Sequence, residues 1–354
     1  MTTFTLEPQY LFKLASMPRG FQTTEPLLRK CTVPYNTISV DYLGNCILCE
    51  CDGWLPLPVG KVLEFETIDE VFASSAAKMI QDDVSNGNFS WCAVDNCGIR
   101  NNDRLPKYLN LYINIDDSCN LHCPSCRRDH IMISQGPEFE NRLKMIERII
   151  QWLERYDKKV CVILSGNGDP LASHIIRPLI KNWSPNNNQN FMLKTNGLLI
   201  KKQLENLRIV NNIVHYSISV DAGTKEIYED VRRPGKWELL IENFNFLQSI
   251  NKNKITTLNF ALQNKNYQDL ENFIKLCQEY EFGGNIHEIT DWGTWSQVDP
   301  KEHADVWTIQ NGIFSDHDVL NKTHPNHNDA KQIILKHQHH KHITFSSSIM
   351  QQIS

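Results

Sequence analysis

The sequence predicts an α/β chain built on a parallel sheet, with a small cysteine-rich segment in front of it. Two observations carry this. From residue 108 onward strand-like and helix-like periods alternate, whereas residues 31–104 are rich in cysteine and turn residues. Repeated β–α units require right-handed crossovers, so consecutive strands lie parallel, in a sheet either open or curled toward a barrel.

The elements follow in order. YLNLYINI (108–115) alternates Leu109, Leu111, Ile113 and Ile115 on one side, a strand period. FENRLKMIERIIQWLERY places Leu143, Ile146, Ile149, Ile150 and Leu153 on one helical stripe. Next come KVCVILS (159–165), a helix near 171–182, FMLKT (191–195) and a helix near 198–207. IVHYSISV (213–220) precedes TKEIYEDVRR and a helix over 236–250. TTLNFAL (256–262), a helix near 267–281 and GNIHEIT (284–290) end the series. In such sheets ligands gather at the C-terminal ends of strands, so the informative loops are those that follow strands.

Residues 31–104 hold short strand-like pieces (TISVDYLGNCILCE) and one helix (TIDEVFASSAAKMIQDDVSNG). With little core of its own, this segment is expected to be a separate small domain held by metal. The expected division is an extension over 1–29, the small domain over 30–104, the sheet over 105–345 and a tail over 346–354, with NNDRLPK (101–107) as the joint. HQHHKH (337–342) reads as a solvated polar stretch rather than a metal site.

A net charge of −5 over 354 residues gives no general reason to expect nucleic acid or an anionic membrane. No apolar run reaches the roughly 18 residues that span a bilayer. The start, MTTFTLEPQYLFK, lacks the order of a secretory signal, so a cytoplasmic protein is expected.

Eleven cysteines then need a use. In a reducing compartment, clustered thiols suggest metal or redox chemistry before disulfides. Cys161, in VCVIL, and Cys277, in the helical pattern of Leu270, Phe273 and Ile274, read as small buried hydrophobes. The remainder form two sets: Cys31, Cys46, Cys49, Cys51, Cys92 and Cys97, and the triplet Cys119, Cys123 and Cys126 in DDSCNLHCPSCRRDH (116–130). Structural zinc sites close their tetrahedron with four protein ligands, and His122 or His130 could complete one here. A cubane iron–sulfur cluster has four irons, so three thiolates in one loop would leave one iron open.

The spacing C-x3-C-x2-C after the first strand resembles the loop of radical S-adenosylmethionine (radical SAM) enzymes, over about residues 105–300. That resemblance implies a partial (β/α)6 barrel and a [4Fe–4S] cluster on Cys119, Cys123 and Cys126. Its open iron would chelate SAM, and an electron would cleave SAM to a 5′-deoxyadenosyl radical that abstracts hydrogen from substrate. LSGNGDPLAS is similar to the family's glycine-glycine-acid-proline turn. There Gly166, Asn167 and Gly168 would approach SAM and Asp169 its ammonium, with Asp in place of the commoner Glu. KTNG resembles a threonine-asparagine-glycine corner and brings in Asn196, although Asn196 and Gly197 also suit a plain turn. SISVDAGTKEIYEDVRRPGKW matches a serine-x-aspartate segment with a downstream arginine: Ser219 and Asp221 would face SAM, and Arg232 or Arg233 would pair its carboxylate. Gln263 and Asn264 close the fifth strand as further polar candidates.

The segment from Cys31 to Cys97 resembles a SPASM domain, the module that carries an auxiliary cluster in many of these enzymes. The resemblance points to Cys31, Cys49, Cys92 and Cys97 as ligands of a second [4Fe–4S] cluster, with Cys46 and Cys51 as alternatives to Cys49. A zinc ribbon is the other reading. The order is permuted, because the module usually follows the barrel. The resemblance implies a peptide or protein substrate, with a sugar or nucleotide derivative as the alternative, and a reductant protein such as a flavodoxin or ferredoxin. A non-catalytic zinc module is the competing class.

Overall fold

A computed structural model describes residues 31–50, 55–93, 97, 108–165, 167–250, 254–292, 294 and 306–354. Gly166, Cys51, the 1–29 extension and the 101–107 joint lie outside the described residues. The chain divides into two compact units, Met1–Ser118 with Ile133–Met192, and Cys119–Met132 with Leu193–Ser354.

In the first unit, β1 (Thr37–Val40) pairs antiparallel with β2 (Asn45–Ile47), and β2 antiparallel with β3 (Pro58–Lys61). The turn between β1 and β2 is fixed by Asp41, whose Oδ1 accepts from the N–H of Leu43 and of Asn45 at 2.9 and 2.8 Å. Two helices follow, α1 (Ile68–Ala73) and α2 (Ser75–Ser85). Thr67 caps the first and Ser74 the second, each hydroxyl accepting an N–H of the first turn. Next are β4 (Leu109–Ile113), α3 (Pro137–Arg155), β5 (Val160–Leu164) and α4 (Arg177–Asn182). β4 and β5 are parallel, as the alternation predicts.

The segment expected to be a separate metal-held domain shares this unit. β1 lies parallel to β4, Thr37 opposite Asn110 and Val40 opposite Ile113. All of β1 is buried, and Val59, Val62, Ile68, Val71, Ala77, Ile80 and Val84 supply a core. Apolar burial therefore contributes to holding these residues. The stripe of α3 is also rotated from its expected course: Leu143 and Ile150 are half-buried, while Arg142, Met145, Ile146, Ile149, Trp152 and Leu153 are buried. A cation on the buried stripe is what the apolar pattern could not show. The helix expected near 171–182 is confined to α4, because the Ser173 Oγ accepts from the N–H groups of Ile175 and Ile176 and holds a turn.

The division between the units falls inside β6 (Gln189–Thr195). The second unit continues with α5 (Ile200–Leu204), β7 (Ile213–Ser219), α6 (Lys225–Val231), α7 (Trp237–Ile250) and β8 (Ile255–Leu262). It ends with α8 (Leu270–Glu279), β9 (Gly283–Glu288), α9 (Val306–Asn311), α10 (His327–His337), β10 (Ile343–Phe345) and α11 (Ser347–Ile353). Strands β7, β8, β9 and β10 pair in parallel in that order. Their buried face carries Tyr216, Ile218, Leu258, Phe260, Leu262 and Ile286. Phe260 packs on Phe273 of α8 at a centroid distance of 4.9 Å. The region expected as a tail is helical: Ser346 caps α11 and Ile349 and Ile353 are buried. Among the described residues no helix is long and apolar enough to cross a membrane.

Candidate functional site

The loop after β4 belongs, from Cys119 onward, to the second unit. Cys119 is half-buried, and its Sγ accepts from the Leu121 N–H at 3.4 Å and from Asn196 Nδ2 at 3.8 Å. Asn196 Nδ2 also donates to Asn120 Oδ1 at 2.9 Å, while its Oδ1 accepts the Leu198 N–H. The following Gly197 sits at φ +85°, and a Cβ there would meet Ile218 at 2.8 Å, so the corner requires glycine. Cys123 is buried, and Arg232 Nη1 stands 3.9 Å from its Sγ. Burial pushes the Cys123 thiol up, and Arg232 pulls against it. Cys126 is exposed. Its carbonyl accepts from the Thr294 hydroxyl at 2.9 Å, and the Thr294 carbonyl accepts from Arg128 Nε at 2.6 Å. The His122 N–H donates to the Arg233 carbonyl at 2.6 Å, and its ring meets the Arg128 carbonyl.

The residues after β7 complete this arrangement. Asp221 has a φ of +58°. Its Oδ1 accepts the Ala261 N–H at 2.7 Å and its Oδ2 meets Arg232 Nη2 at 2.7 Å, both side chains well buried. The Asp221 carboxylate raises the Arg232 pKa against the cost of burial. Arg233 instead pairs with Asp230 and bonds Asn311 Oδ1 at 3.3 Å. Both arginines expected for a SAM carboxylate thus have carboxylate partners within the chain. Gln263 is buried and its Nε2 has no partner among the described residues, while Asn264 Oδ1 accepts from Asn326.

One face of β7, β8 and β9 is polar and half-buried: His215, Ser217, Ser219, Thr257, Asn259, Asn285 and His287. Ser219 stands opposite Asn259, and Asn259 opposite Asn285. Asn259 Nδ2 donates to Ser217 Oγ at 2.9 Å, and Asn285 Nδ2 to Asn259 Oδ1 at 3.3 Å. Burial holds His287 below the usual imidazole range, against the pull of Asp221. His287, Asn259, Asn285 and Thr294 were not singled out by the sequence reading; their signal was only the polar half of each strand's alternation, and Thr294 had none.

In the first unit, Asn167 is exposed and Asp169 buried. Asp169 Oδ1 accepts the N–H groups of Leu171 and Ala172 at 2.9 and 3.3 Å, and its own N–H donates to the Ser118 carbonyl at 2.8 Å. A Cβ on Gly168 would lie 2.2 Å from that carbonyl, so the turn presses backbone to backbone on the residue before Cys119. Below it Asp116 accepts from Ser118 N–H and Oγ and from Ser173 Oγ, and Arg142 Nη1 stands 3.5 Å from its Oδ1.

The first cysteine set also lies in this unit. Burial, then Cys31 and Cys97, push the Cys92 thiol up to about 12, and Cys31 is raised by burial and by Cys97. Glu50, next to the buried Cys49, also raises Cys31. Cys46 is buried in β2 and raised by burial, then by Asp41. Cys277 is fully buried, as its helical pattern predicts, whereas Cys161 is half-buried on β5 and burial raises it to about 11.

Soft sulfur donors suit iron or zinc. The triplet has the donor set of a cubane, three thiols on one loop of which two receive N–H donors, although among the described residues no three side chains are gathered as the ligands of a metal ion. Neither imidazole in this loop is placed as a fourth ligand among the described contacts: His122 faces a carbonyl and His130 is exposed.

A family profile described as Radical SAM superfamily matches residues 113–277. Among curated proteins, GTP 3′,8-cyclase of Peptoclostridium acidaminophilum is 24% identical over 213 residues, 60% of this chain and 62% of the relative. The probable GTP 3′,8-cyclase of Methanocaldococcus jannaschii is 24% identical over 171 residues, 48% and 55% of the two chains. The chain thus spans a little over half the length of these relatives. Among solved structures, SuiB of Streptococcus suis bound to its precursor peptide SuiA aligns at 12% identity and TM-score 0.41, over 77% of this chain and 62% of that one. Native anSMEcpe with bound AdoMet aligns at 18% identity and TM-score 0.37, over 51% and 52%. Both TM-scores lie below 0.5, so neither alignment carries an argument. The C-x3-C-x2-C loop lies inside the matched segment, so the part of the chain that is similar to the Radical SAM superfamily includes Cys119, Cys123 and Cys126.

Proposed function

We propose that the chain reductively cleaves SAM at a [4Fe–4S] cluster held by Cys119, Cys123 and Cys126, and takes hydrogen from a C–H bond of a small polar substrate. The observation that carries the reading is the three-cysteine loop, with its sulfurs met by Asn196 and Arg232. When bound, cluster and SAM supply the electron and the 5′-deoxyadenosyl radical; the chain positions them. Asn196 steadies Cys119, the Thr294 hydroxyl bond holds the Cys126 backbone, and Asp169 is proposed for the SAM ammonium.

For the substrate, the polar face of β7–β9 offers amides, hydroxyls and imidazoles. Glu288, at the end of β9, alternates onto the opposite face and is taken up by Ser346. Such neutral donors and acceptors suit a nucleotide or sugar derivative, the class named in the curated relatives. A peptide, the first expectation from the sequence, is the alternative outcome. We also propose a second [4Fe–4S] cluster on Cys31, Cys49, Cys92 and Cys97, supported by the four thiols in the segment that resembles a SPASM module, with electrons from a flavodoxin or ferredoxin.

The test is anaerobic reconstitution, reduction with dithionite, and mass spectrometry for 5′-deoxyadenosine. Release should occur slowly without substrate and rise with the small polar fraction of a cell extract. Asn285→Leu should remove that rise and spare the basal release. Stimulation only by the peptide fraction refutes the substrate class, and no 5′-deoxyadenosine from a fully loaded protein refutes the proposed reaction.

A further inference from the structure

We propose that Arg232 is a positioning residue that sets the reduction potential of the cluster on Cys119, Cys123 and Cys126, with Asp221 limiting its effect. The inference rests on the cluster reading above. Arg232 is the residue after α6, where its N–H bonds the Tyr228 carbonyl at 2.8 Å and its own carbonyl accepts from Gly235 at 2.6 Å. The adjacent Arg233 carbonyl takes the His122 N–H, so this corner and the cysteine loop are joined through backbone as well as side chain. The guanidinium is then aimed from both ends: Nη2 on Asp221 at 2.7 Å and Nη1 toward Cys123 Sγ at 3.9 Å. Asp221 is itself held by the Ala261 N–H at 2.7 Å. The Arg232 side chain is 15% exposed and that of Asp221 3%, so water screens this trio little.

An arginine does not lose its proton in a protein, so the positive end at the sulfur is permanent. Reduction adds one electron to the cluster. No bond forms or breaks and no proton moves, and the electron comes from a low-potential reductant such as dithionite or titanium(III) citrate. The reduced state carries one more negative charge, and a fixed cation beside a ligand sulfur favours it. Asp221 offsets part of that charge, so the two residues act in opposite directions. A purely structural role would make both substitutions fail alike.

The test is a redox titration of the reconstituted full chain, followed by electron paramagnetic resonance with no SAM present. Arg232→Gln should make reduction at least tenfold less favourable, a fall of about 59 mV for one electron. Arg232→Lys, which keeps the charge, should recover part of it. Asp221→Asn should shift the potential upward. Equal potentials in the wild type, Arg232→Gln and Asp221→Asn overturn the inference. If Arg232→Gln holds no cluster, Asp221→Asn decides alone: an upward shift supports the proposal, and no shift or a downward one overturns it. Iron content unchanged in the variant with Cys119, Cys123 and Cys126 all replaced by alanine overturns the cluster reading, and this inference with it.

Discussion

Arg142 is where the sequence pattern and the structure differ most in consequence. Its guanidinium, 3% exposed, sits on the buried stripe of α3 and donates to the Ile115 carbonyl at 2.9 Å. It lies 3.5 Å from both Asp116 and Asp117 and pairs with Glu138. Consider Arg142→Met, which keeps the volume and removes the charge. The Glu138 pair, 63% exposed on the acid, is worth about 0–1 kcal/mol. Asp116 matters more, because its side chain is 0% exposed and would be left without its cation. Removing one partner of such a pair costs roughly 3–5 kcal/mol. Asp116 keeps its bonds from Ser118 N–H, Ser118 Oγ and Ser173 Oγ, so the lower end, about 3 kcal/mol, is expected. With a urea slope of about 3 kcal/mol/M, the unfolding midpoint should fall by about 1 M. The assay is urea unfolding of the metal-free chain, followed by circular dichroism and tryptophan fluorescence. Asp116→Asn on the Arg142→Met background should cost less than Asp116→Asn alone, since an amide needs no cation. An unchanged midpoint, or strictly additive single effects, refutes the reasoning.

Gly168→Ala should lower both stability and cluster loading. Its Cβ would lie 2.2 Å from the Ser118 carbonyl, and forcing backbone apart costs on the order of 1–3 kcal/mol; unchanged iron per chain and an unchanged urea midpoint would count against it. Asp269→Asn should loosen the segment after β7, because Asp269 Oδ2 accepts from Gly223 N–H at 2.6 Å and from Thr224 N–H and Oγ1; hydrogen exchange at residues 221–224 is the readout, and no acceleration refutes it. Acid should destabilise the fold. His215, His287 and His317 are all held below the usual range, burial being the largest cause in each. With a depressed folded pKa the unfolded chain binds the extra protons, so stability is full above the unfolded value of roughly 6.5 and declines as pH falls below it. Equal urea midpoints at about pH 7.5 and pH 5.5 would contradict this.

Much of the fold was legible because its signals are local. The apolar alternation of LNLYI, the unbroken VCVIL and the helical spacing of Leu270, Phe273, Ile274 and Cys277 all report burial directly. What was not legible has long-range causes. Residues 31–104 looked too poor in core to stand without metal, yet Thr37–Val40 gains a partner in β4, 73 residues away by the register of Val40 with Ile113. Residues 346–354, expected as a tail, form a helix because Ile349 and Ile353 find cover and Ser346 caps it. In each case the missing term was a contact that no window of sequence contains.

The candidate site divides along the same line, and the division explains which residues a linear reading finds. Cys119, Cys123 and Cys126 share one loop, so chain connectivity alone brings them near one another. Arg232 reaches Cys123 across 109 residues and Thr294 reaches Cys126 across 168, and only the parallel register and the corner after α6 decide those approaches. The strands nonetheless held a usable signal. VCVIL is apolar at nearly every position, whereas S-I-S, T-L-N-F-A and N-I-H alternate strictly. A parallel strand covered by helices on both faces tends toward the first pattern. The second belongs to a strand whose other face is kept polar, at the end of the sheet where ligands gather. Alternation inside a parallel sheet therefore points to a lined face, and Asn259, Asn285 and His287 are readable from the sequence on that ground.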